Sequence, residues 1–229
     1  MIRSGGTQMK LFFNALIKFT VGLLLVGALL FLPAWSFRYI NGWLFIGLLF
    51  IPMLILGAVL LIRSPALLEK RLNAKEKENT QKGVVAVSGL LFVMGFVVAG
   101  LDFRFGWSSV PTAAVIIASV ILLVSYALYA EVMRENVYLS RTVELQQDQK
   151  VIDTGLYGIV RHPMYAATLW LFLSIPVVLG SWWAVICFVP YIAVIVIRIL
   201  NEEKVLTASL EGYVEYKKKV RYRLIPFIW

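Results

Sequence analysis

Six apolar runs with almost no charge inside them constrain this chain more than any other feature of its sequence. They occupy residues 11–32, 42–62, 84–101, 110–130, 164–179 and 182–197. About 20 apolar residues let a helix cross a bilayer, and a helix satisfies its own backbone polar groups there. The last two runs have 16 residues each, contain Pro176 and Pro190, and are joined by Gly180 and Ser181. We therefore predict an all-α integral membrane protein with about six transmembrane helices, the last two forming a short hairpin.

The composition excludes an ordinary soluble domain. Of the 229 residues, 60% are hydrophobic and 15% are charged, whereas soluble domains carry about 25% charged residues. The single cysteine, Cys187, excludes an intramolecular disulfide framework and a cysteine-rich metal site. We predict no metal.

The basic residues predict an orientation. With six spans, 18 of the 22 Lys and Arg residues fall on the side of the amino terminus, two (Arg38 and Arg104) fall on the other side, and two (Lys18 and Arg198) lie within spans. Because cytoplasmic segments carry the excess of Lys and Arg, both termini are predicted to be cytoplasmic. The net charge of +9 then needs no nucleic-acid partner.

Two amphipathic helices are predicted outside the spans. Residues 66–79 follow Ser64 and Pro65, a helix-start signal, and place Leu67, Leu68 and Leu72 toward the interface. Residues 202–220 carry apolar side chains at helical spacing and predict a cytoplasmic C-terminal helix. We divide the chain into a four-helix membrane scaffold, residues 1–130, and a cofactor-binding catalytic region, residues 131–229, within one structural unit.

The polar residues most suggestive of chemistry surround the only histidine. His162 stands between Arg161 and Pro163 at the start of the fifth apolar run. Proline suits a first helical turn, whose free amides bind anions, and Arg161 adds positive charge. Tyr157 and Tyr165 add aromatic faces. This set suits an adenine, a carboxylate or a phosphate.

A second group closes the sixth run. Arg198 and Glu202 are four residues apart and share one helical face. Arg198 lies at the hydrocarbon boundary, where an ionisable residue is a functional candidate. Glu202 and Glu203 suit an amine, ribose hydroxyls or a positive charge. The structural alternative is that Arg161 and Tyr165 are interfacial residues and that Arg198 and Glu202 form a helix-end ion pair.

The segments TGLYGIVRHPMY, RILNEEKVL and EGYVEYKKKVRYRLIPFIW, in this order, resemble the isoprenylcysteine carboxyl methyltransferase family. They are also similar to the related membrane phospholipid methyltransferases. The resemblance covers about residues 149–229, and the earlier spans match only as generic membrane helices. The family tail commonly reads VPxxxP, whereas this chain has Val220 followed by Pro226.

The resemblance implies S-adenosylmethionine as cofactor and in-line methyl transfer at the cytoplasmic face. The residues it implies in the cofactor pocket are Val151, Ile152, Tyr157, Arg161, His162, Pro163, Met164, Tyr165 and Glu202. Arg198 is implied to face the acceptor, a small lipophilic, isoprenoid-like or lipid molecule. An amine or thiol acceptor needs a proton sink, for which Glu203 and His162 are the candidates.

Two other classes remain open at this stage. Membrane sterol and steroid reductases have a similar apolar bundle and basic tail but use NADPH, for whose phosphates Arg161, Arg221 and Arg223 are candidates. The other class is a non-enzymatic scaffold or transport protein, which requires polar residues inside the spans. The expected partners are a lipophilic substrate and membrane lipids, with no obligatory protein partner.

Overall fold

The computed structural model describes residues 5–72, 79–139 and 149–229. Throughout these ranges the regular structure is helical, with no strand, which confirms the all-α prediction. The helices are α1 (Gly5–Ala34), α2 (Ile40–Arg63), α3 (Pro65–Leu72), α4 (Asn79–Phe105), α5 (Thr112–Glu135), α6 (Pro163–Val178), α7 (Trp182–Phe188), α8 (Tyr191–Ser209) and α9 (Tyr213–Lys219), with a short 3₁₀ turn at Gly155–Gly158.

The predicted spans correspond to helices of membrane-crossing length. Five segments are long and apolar enough to cross a bilayer: Gln8–Ala34, Ile40–Arg63, Lys82–Phe105, Thr112–Glu135 and Trp182–Ser209. The fifth predicted run is α6, an apolar helix of 16 residues. The prediction of about six apolar helices is confirmed.

The prediction of one amphipathic helix over residues 202–220 is wrong. α8 continues through Arg198 and Glu202 to Ser209, and α9 begins only at Tyr213. Gly212, at the break, has φ of 81°, a conformation that glycine adopts without steric cost. The predicted sixth run, residues 182–197, is divided between α7, which ends at Phe188, and the first part of α8, which begins after Pro190. Arg198 and both glutamates therefore lie within α8, just after its apolar residues 191–197.

The interfacial helix α3 begins where it was predicted, and Leu67 and Leu68 are buried. Part of the predicted range, residues 73–78, lies outside the described residues. Lys18 in α1 donates from Nζ to the carbonyl of Leu72 at 2.6 Å. A cation at the last carbonyls of a helix is favourable, so this contact accounts for the lysine inside the first apolar run.

The packing of the helices separates two ends of the bundle. α6 lies along α5, and α1 packs against α4, around a core that includes Leu30, Phe45, Leu122, Ile175 and Phe188. Because α6 runs from Pro163 to Val178, the predicted site and the 180–181 turn lie at opposite ends of this helix. α5 also passes through the proposed domain boundary at residue 130, and that division stays a prediction.

Candidate functional site

The turn before α6 is positioned by the end of α5. Gly155 has φ of 49°, and a Cβ at this residue would lie 1.4 Å from the Glu135 carboxylate. The close approach lets Glu135 accept from the amide of Leu156 at 3.1 Å. Asn136 donates from Nδ2 to the Tyr157 hydroxyl at 2.9 Å. Burial raises the pKa of Tyr157, so the phenol stays protonated at neutral pH.

Tyr165 joins the two groups of polar residues that the sequence singled out. It lies in the first turn of α6, where its hydroxyl donates a short hydrogen bond to Glu202 Oε2. Arg198 donates from Nε to the same hydroxyl at 2.9 Å. The guanidinium carbon of Arg198 also lies 5.8 Å from the centre of the Tyr165 ring. Helical spacing alone predicted that Arg198 and Glu202 pair with each other. In the structure the Tyr165 hydroxyl lies between them and hydrogen-bonds to both.

Glu203 is the centre of a separate buried cluster. Its Oε1 accepts from Arg161 Nε at 2.7 Å and lies 3.2 Å from His162 Nε2, while its Oε2 accepts from Arg223 Nε at 3.0 Å. The glutamate is 6% exposed. A carboxylate buried this deeply is stabilised by such charged donors. Three segments of the chain, the 161–162 turn, α8 and the tail, therefore meet on one side chain.

The tail is held against the turn by its backbone as well. The amides of Arg161 and His162 donate to the carbonyls of Tyr222 and Arg223 at 2.8 and 2.9 Å. Arg161 also donates from Nη1 to the carbonyls of Val220 and Arg221 at 2.9 and 3.0 Å. The guanidinium of Arg161 thus binds groups of the protein itself, namely Glu203 and the carbonyls of the tail. The expected anion site that combines Arg161 with the free amides of the first turn of α6 is not what the geometry shows.

A cavity with about 910 Å³ of empty space, counting its open mouth, lies beside these contacts. Its lining residues are Asn136, Tyr138, Leu139, Gln149, Lys150, Val151, Ile152, Tyr157, Arg161, His162, Met164, Tyr165, Arg198, Glu202, Val205, Leu206, Leu210, Tyr213 and Tyr216. The wall therefore combines a carboxylate, a guanidinium and several phenols with aliphatic side chains. Such a mixture recognises a ligand that is partly polar and partly apolar.

The structure brings most of the predicted site residues to this wall. Two are exceptions. Pro163 is buried at the first position of α6 and shapes the turn, and Glu203 faces its three basic partners. Neither lines the cavity. With both oxygens engaged, Glu203 is poorly placed to accept a proton from an acceptor molecule.

Several lining residues were not singled out by the sequence. Asn136 and Tyr138 lie within three residues of the end of α5. The sequence marked them only as polar groups just beyond an apolar run. Leu206, Leu210 and Tyr213 were recognised only as the apolar face of a helix. Arg71 of α3 lies behind the wall, 3.9 Å from the sulfur of Met164 and 5.2 Å from the centre of the Tyr129 ring.

Tyr213 provides an additional observation. Among the described residues, its hydroxyl is a buried side-chain atom without a hydrogen-bond partner, and the residue lines the cavity. Burial raises the pKa of this phenol, so it remains a donor. An unsatisfied buried hydroxyl costs about 1–3 kcal/mol. A ligand that accepts a hydrogen bond from Tyr213 would recover part of that cost.

These observations define a helical membrane protein with a ligand cavity at the end of its helices. Residues 108–211 match the model of the phospholipid methyltransferase family. This segment is therefore similar to a family of membrane methyltransferases, and the match confirms the resemblance expected from the motifs. No curated protein matches the chain significantly.

The extent of the match corrects one expectation. Residues 108–211 include all of α5, so the fourth span is part of the family segment rather than a generic membrane helix. The match stops before α9 and the tail. Tyr165, Arg198 and Glu202 lie within it, whereas Tyr213 and Arg223 lie beyond it.

Proposed function

We propose that the protein transfers a methyl group from S-adenosylmethionine to a small lipophilic, isoprenoid-like or lipid acceptor. The observation that carries this proposal is the Arg198–Tyr165–Glu202 arrangement on the cavity wall, inside the segment that matches the methyltransferase family. It puts a cation and a carboxylate side by side in α8, just beyond the apolar residues 191–197. A polar cofactor and a lipophilic acceptor both have access to such a place.

The residues present fit the cofactor. S-Adenosylmethionine carries a sulfonium, an amine, a carboxylate, ribose hydroxyls and an adenine. Glu202 offers an acceptor for positive charge or hydroxyls, and the orphaned Tyr213 hydroxyl offers a donor. Val151 and Ile152 line the cavity next to residues 149–150. The cofactor supplies a methyl group already activated by its bond to a positively charged sulfur, so the protein needs mainly to align and desolvate the reactants.

Arg198 is the residue we assign to the acceptor. Its guanidinium is fixed by Tyr165 through a hydrogen bond and a ring contact, which leaves its orientation determined before an acceptor arrives. A guanidinium orients a carboxylate or phosphate through paired donors. Arg198 would thereby direct the acceptor's nucleophilic atom toward the methyl group that the bound cofactor would supply.

Glu203 and His162 act on this site indirectly in our proposal. Glu203 pairs with Arg161 and Arg223 and lies 3.2 Å from His162 Nε2, and these contacts hold the 161–162 turn against α8. The reductase alternative gains no support from the same contacts, since Arg161 and Arg223 bind Glu203 and neither Arg221 nor Arg223 lines the cavity. We place the cavity on the cytoplasmic side, as the distribution of Lys and Arg favours.

Calorimetry on detergent-purified protein tests the proposal, with S-adenosylhomocysteine as the probe. We expect saturable binding that Glu202→Gln weakens by roughly 10- to 100-fold, the loss of a charge-assisted hydrogen bond of about 1.5–3 kcal/mol. Glu211→Gln is the matched control, because Glu211 is an exposed glutamate just after α8 and outside the cavity wall. Binding of NADPH alone, or of neither compound by folded protein, would contradict the proposal.

A further inference from the structure

The strap, which we define as residues 220–229, has two sides of different character. One side binds the site through Tyr222, Arg223 and the Glu203 cluster. The other side ends in Phe227 and Ile228, which are 87% and 76% exposed. Two neighbouring large apolar side chains at such exposure are unfavourable in water. We therefore expect these two side chains to contact an apolar partner outside the described residues.

The backbone of the strap holds this tip in a closed turn. The carbonyl of Trp229 accepts from the amides of Arg223 and Leu224 at 2.8 and 3.0 Å, and the carbonyl of Ile225 accepts from those of Ile228 and Trp229 at 3.2 and 3.1 Å. Phe227 has φ of 66°, a region that non-glycine residues rarely occupy. The turn is thus fixed in a strained conformation that directs two apolar side chains outward while Leu224 is buried.

The position of the turn identifies what it faces. Leu224 belongs to a core cluster with Val84 of α4 and Val194, Ile195 and Ile199 of α8, and Trp229 packs against the same cluster. Val84 and Ile195 lie within segments apolar enough to cross a bilayer, close to where the charged residues of those segments begin. The turn therefore packs where two candidate spans give way to charged residues, which is the level expected for the boundary between hydrocarbon and headgroups.

The outer face of α8 is also apolar. Ile197 and Leu200, on the side away from the cluster that packs against the turn, are 49% and 48% exposed, as expected for residues that face lipid. Arg221, at the start of the strap, is exposed and suits the headgroup layer. An apolar tip next to a lipid-facing helix and an exposed arginine fits the membrane interface.

We propose that Phe227 and Ile228 insert into the bilayer at the boundary between headgroups and hydrocarbon, and that the strap is anchored to the membrane there. Insertion removes both side chains from water and offsets the strain at Phe227. This contact does not depend on the proposed reaction. Because the inner side of the strap holds Arg161 and His162, the membrane itself becomes one of the supports of the candidate site.

Spin labels measure the depth directly. In a Cys187→Ala background, which leaves no other thiol, a nitroxide is attached to Ile228→Cys and the protein is reconstituted into phosphatidylcholine–phosphatidylglycerol vesicles. Relaxation by oxygen, which concentrates in hydrocarbon, is compared with relaxation by a water-soluble nickel chelate. Val214→Cys on α9 and Ile197→Cys on α8 are matched controls, since the native side chains are 40% and 49% exposed.

We expect the oxygen-to-nickel ratio at Ile228 to exceed that at Val214 several-fold and to approach that at Ile197. A ratio at Ile228 equal to that at Val214 overturns the proposal, because the tip then faces water. Protection from both reagents also overturns it, since the tip then contacts protein. If Ile228→Cys does not purify as folded protein, the label is placed at Phe227→Cys and the same outcomes apply.

Discussion

Each end of the helical bundle buries a carboxylate, and the two differ in what surrounds them. At the end of α4, Asp102 is 1% exposed and accepts from the amide and hydroxyl of Ser108 and from the hydroxyl of Ser181. At the end of α8, Glu203 is bound by Arg161, His162 and Arg223. Neutral donors satisfy the first carboxylate, whereas the guanidinium groups of Arg161 and Arg223, from two separate segments, satisfy the second.

The two carboxylates also differ in whether a ligand cavity lies next to them. The Asp102 network joins two turns and does not line the ligand cavity. The Glu203 cluster adjoins a cavity with an orphaned hydroxyl and a fixed cation–carboxylate pair. Unsatisfied or charged groups that the fold retains are typical of ligand sites. Asp102 therefore serves to join turns, whereas Glu203 both anchors three segments and adjoins the candidate ligand cavity.

The largest effect is expected from Glu203→Ala. The substitution leaves the buried guanidinium of Arg161 without its carboxylate, and breaking a buried ion pair by removing one partner costs about 3–5 kcal/mol. We expect a large fall in Tm in detergent, with weaker binding of S-adenosylhomocysteine by the remaining folded protein. Glu202→Gln serves as the control for Tm, because it removes a neighbouring charge outside the cluster. Equal stability of the two variants would contradict the central position of Glu203.

The second effect separates binding from stability at the same end. Tyr165→Phe removes the hydroxyl that joins Arg198 to Glu202. We expect S-adenosylhomocysteine affinity or methyl transfer to fall roughly 10- to 100-fold, corresponding to about 1.5–3 kcal/mol for hydrogen bonds to charged groups. Calorimetry and a radiolabelled methyl-transfer assay measure the two quantities. Tyr222→Phe is the control, since Tyr222 lies on the tail away from the cavity wall; a similar loss in that variant would count against the assignment.

The third effect has opposite signs for stability and binding. Tyr213→Phe removes a buried hydroxyl without a partner in the protein, so we expect Tm to stay the same or rise slightly. If the ligand accepts from this hydroxyl, affinity for S-adenosylhomocysteine falls about fivefold, the equivalent of about 1 kcal/mol. Tyr216→Phe is the comparison, because the Tyr216 hydroxyl donates to the carbonyl of Tyr157 at 2.8 Å and its loss lowers Tm. A rise in affinity for Tyr213→Phe would contradict the ligand contact.

The fourth effect tests the opposite end. Asp102→Asn keeps one oxygen acceptor and places an amide near serine hydroxyls, which rotate to accept from it. We expect a loss of about 1 kcal/mol in unfolding free energy and unchanged binding of S-adenosylhomocysteine. Chemical unfolding and calorimetry measure the two. Altered ligand affinity would show that the ends of the bundle are coupled, which would break the comparison.

Much of the fold could be predicted because hydrocarbon imposes one solution on a long apolar run. The six runs therefore correspond to helices. The break between α8 and α9 was not predicted, because Leu206, Leu210 and Tyr213 keep helical spacing across it. The backbone leaves the helix at Leu210, which is extended, and at Gly212, which has a positive φ. Local periodicity does not record such a break.

The sequence predicted most of the residues that line the site, but it did not predict what each of them contacts. Adjacent residues on a helix point about 100° apart, and the resemblance placed Glu202 in the cofactor pocket while Glu203 remained a candidate to accept a proton from the acceptor. The structure places Glu202 on the wall and Glu203 in the cluster. The partners of Arg161 were equally hidden, since they lie in the tail about 60 residues later.

The smallest effect concerns an exposed ion pair beside the Glu203 end. Asp153 accepts from Lys219 at 2.6 Å, and this hydrogen bond and the lysine charge lower the pKa of the aspartate. Because the folded-state pKa lies below the unfolded value, the stabilisation is present above the ordinary aspartate range and is lost as the pH falls through the lowered pKa. Asp153→Asn should remove this part of the pH dependence and leave Tm near neutral pH almost unchanged, since exposed pairs contribute little. Thermal unfolding of both proteins at about pH 7 and about pH 3 measures it. A large fall in Tm at neutral pH would instead show that this surface pair, and not only the buried Glu203 cluster, holds the tail against the turn.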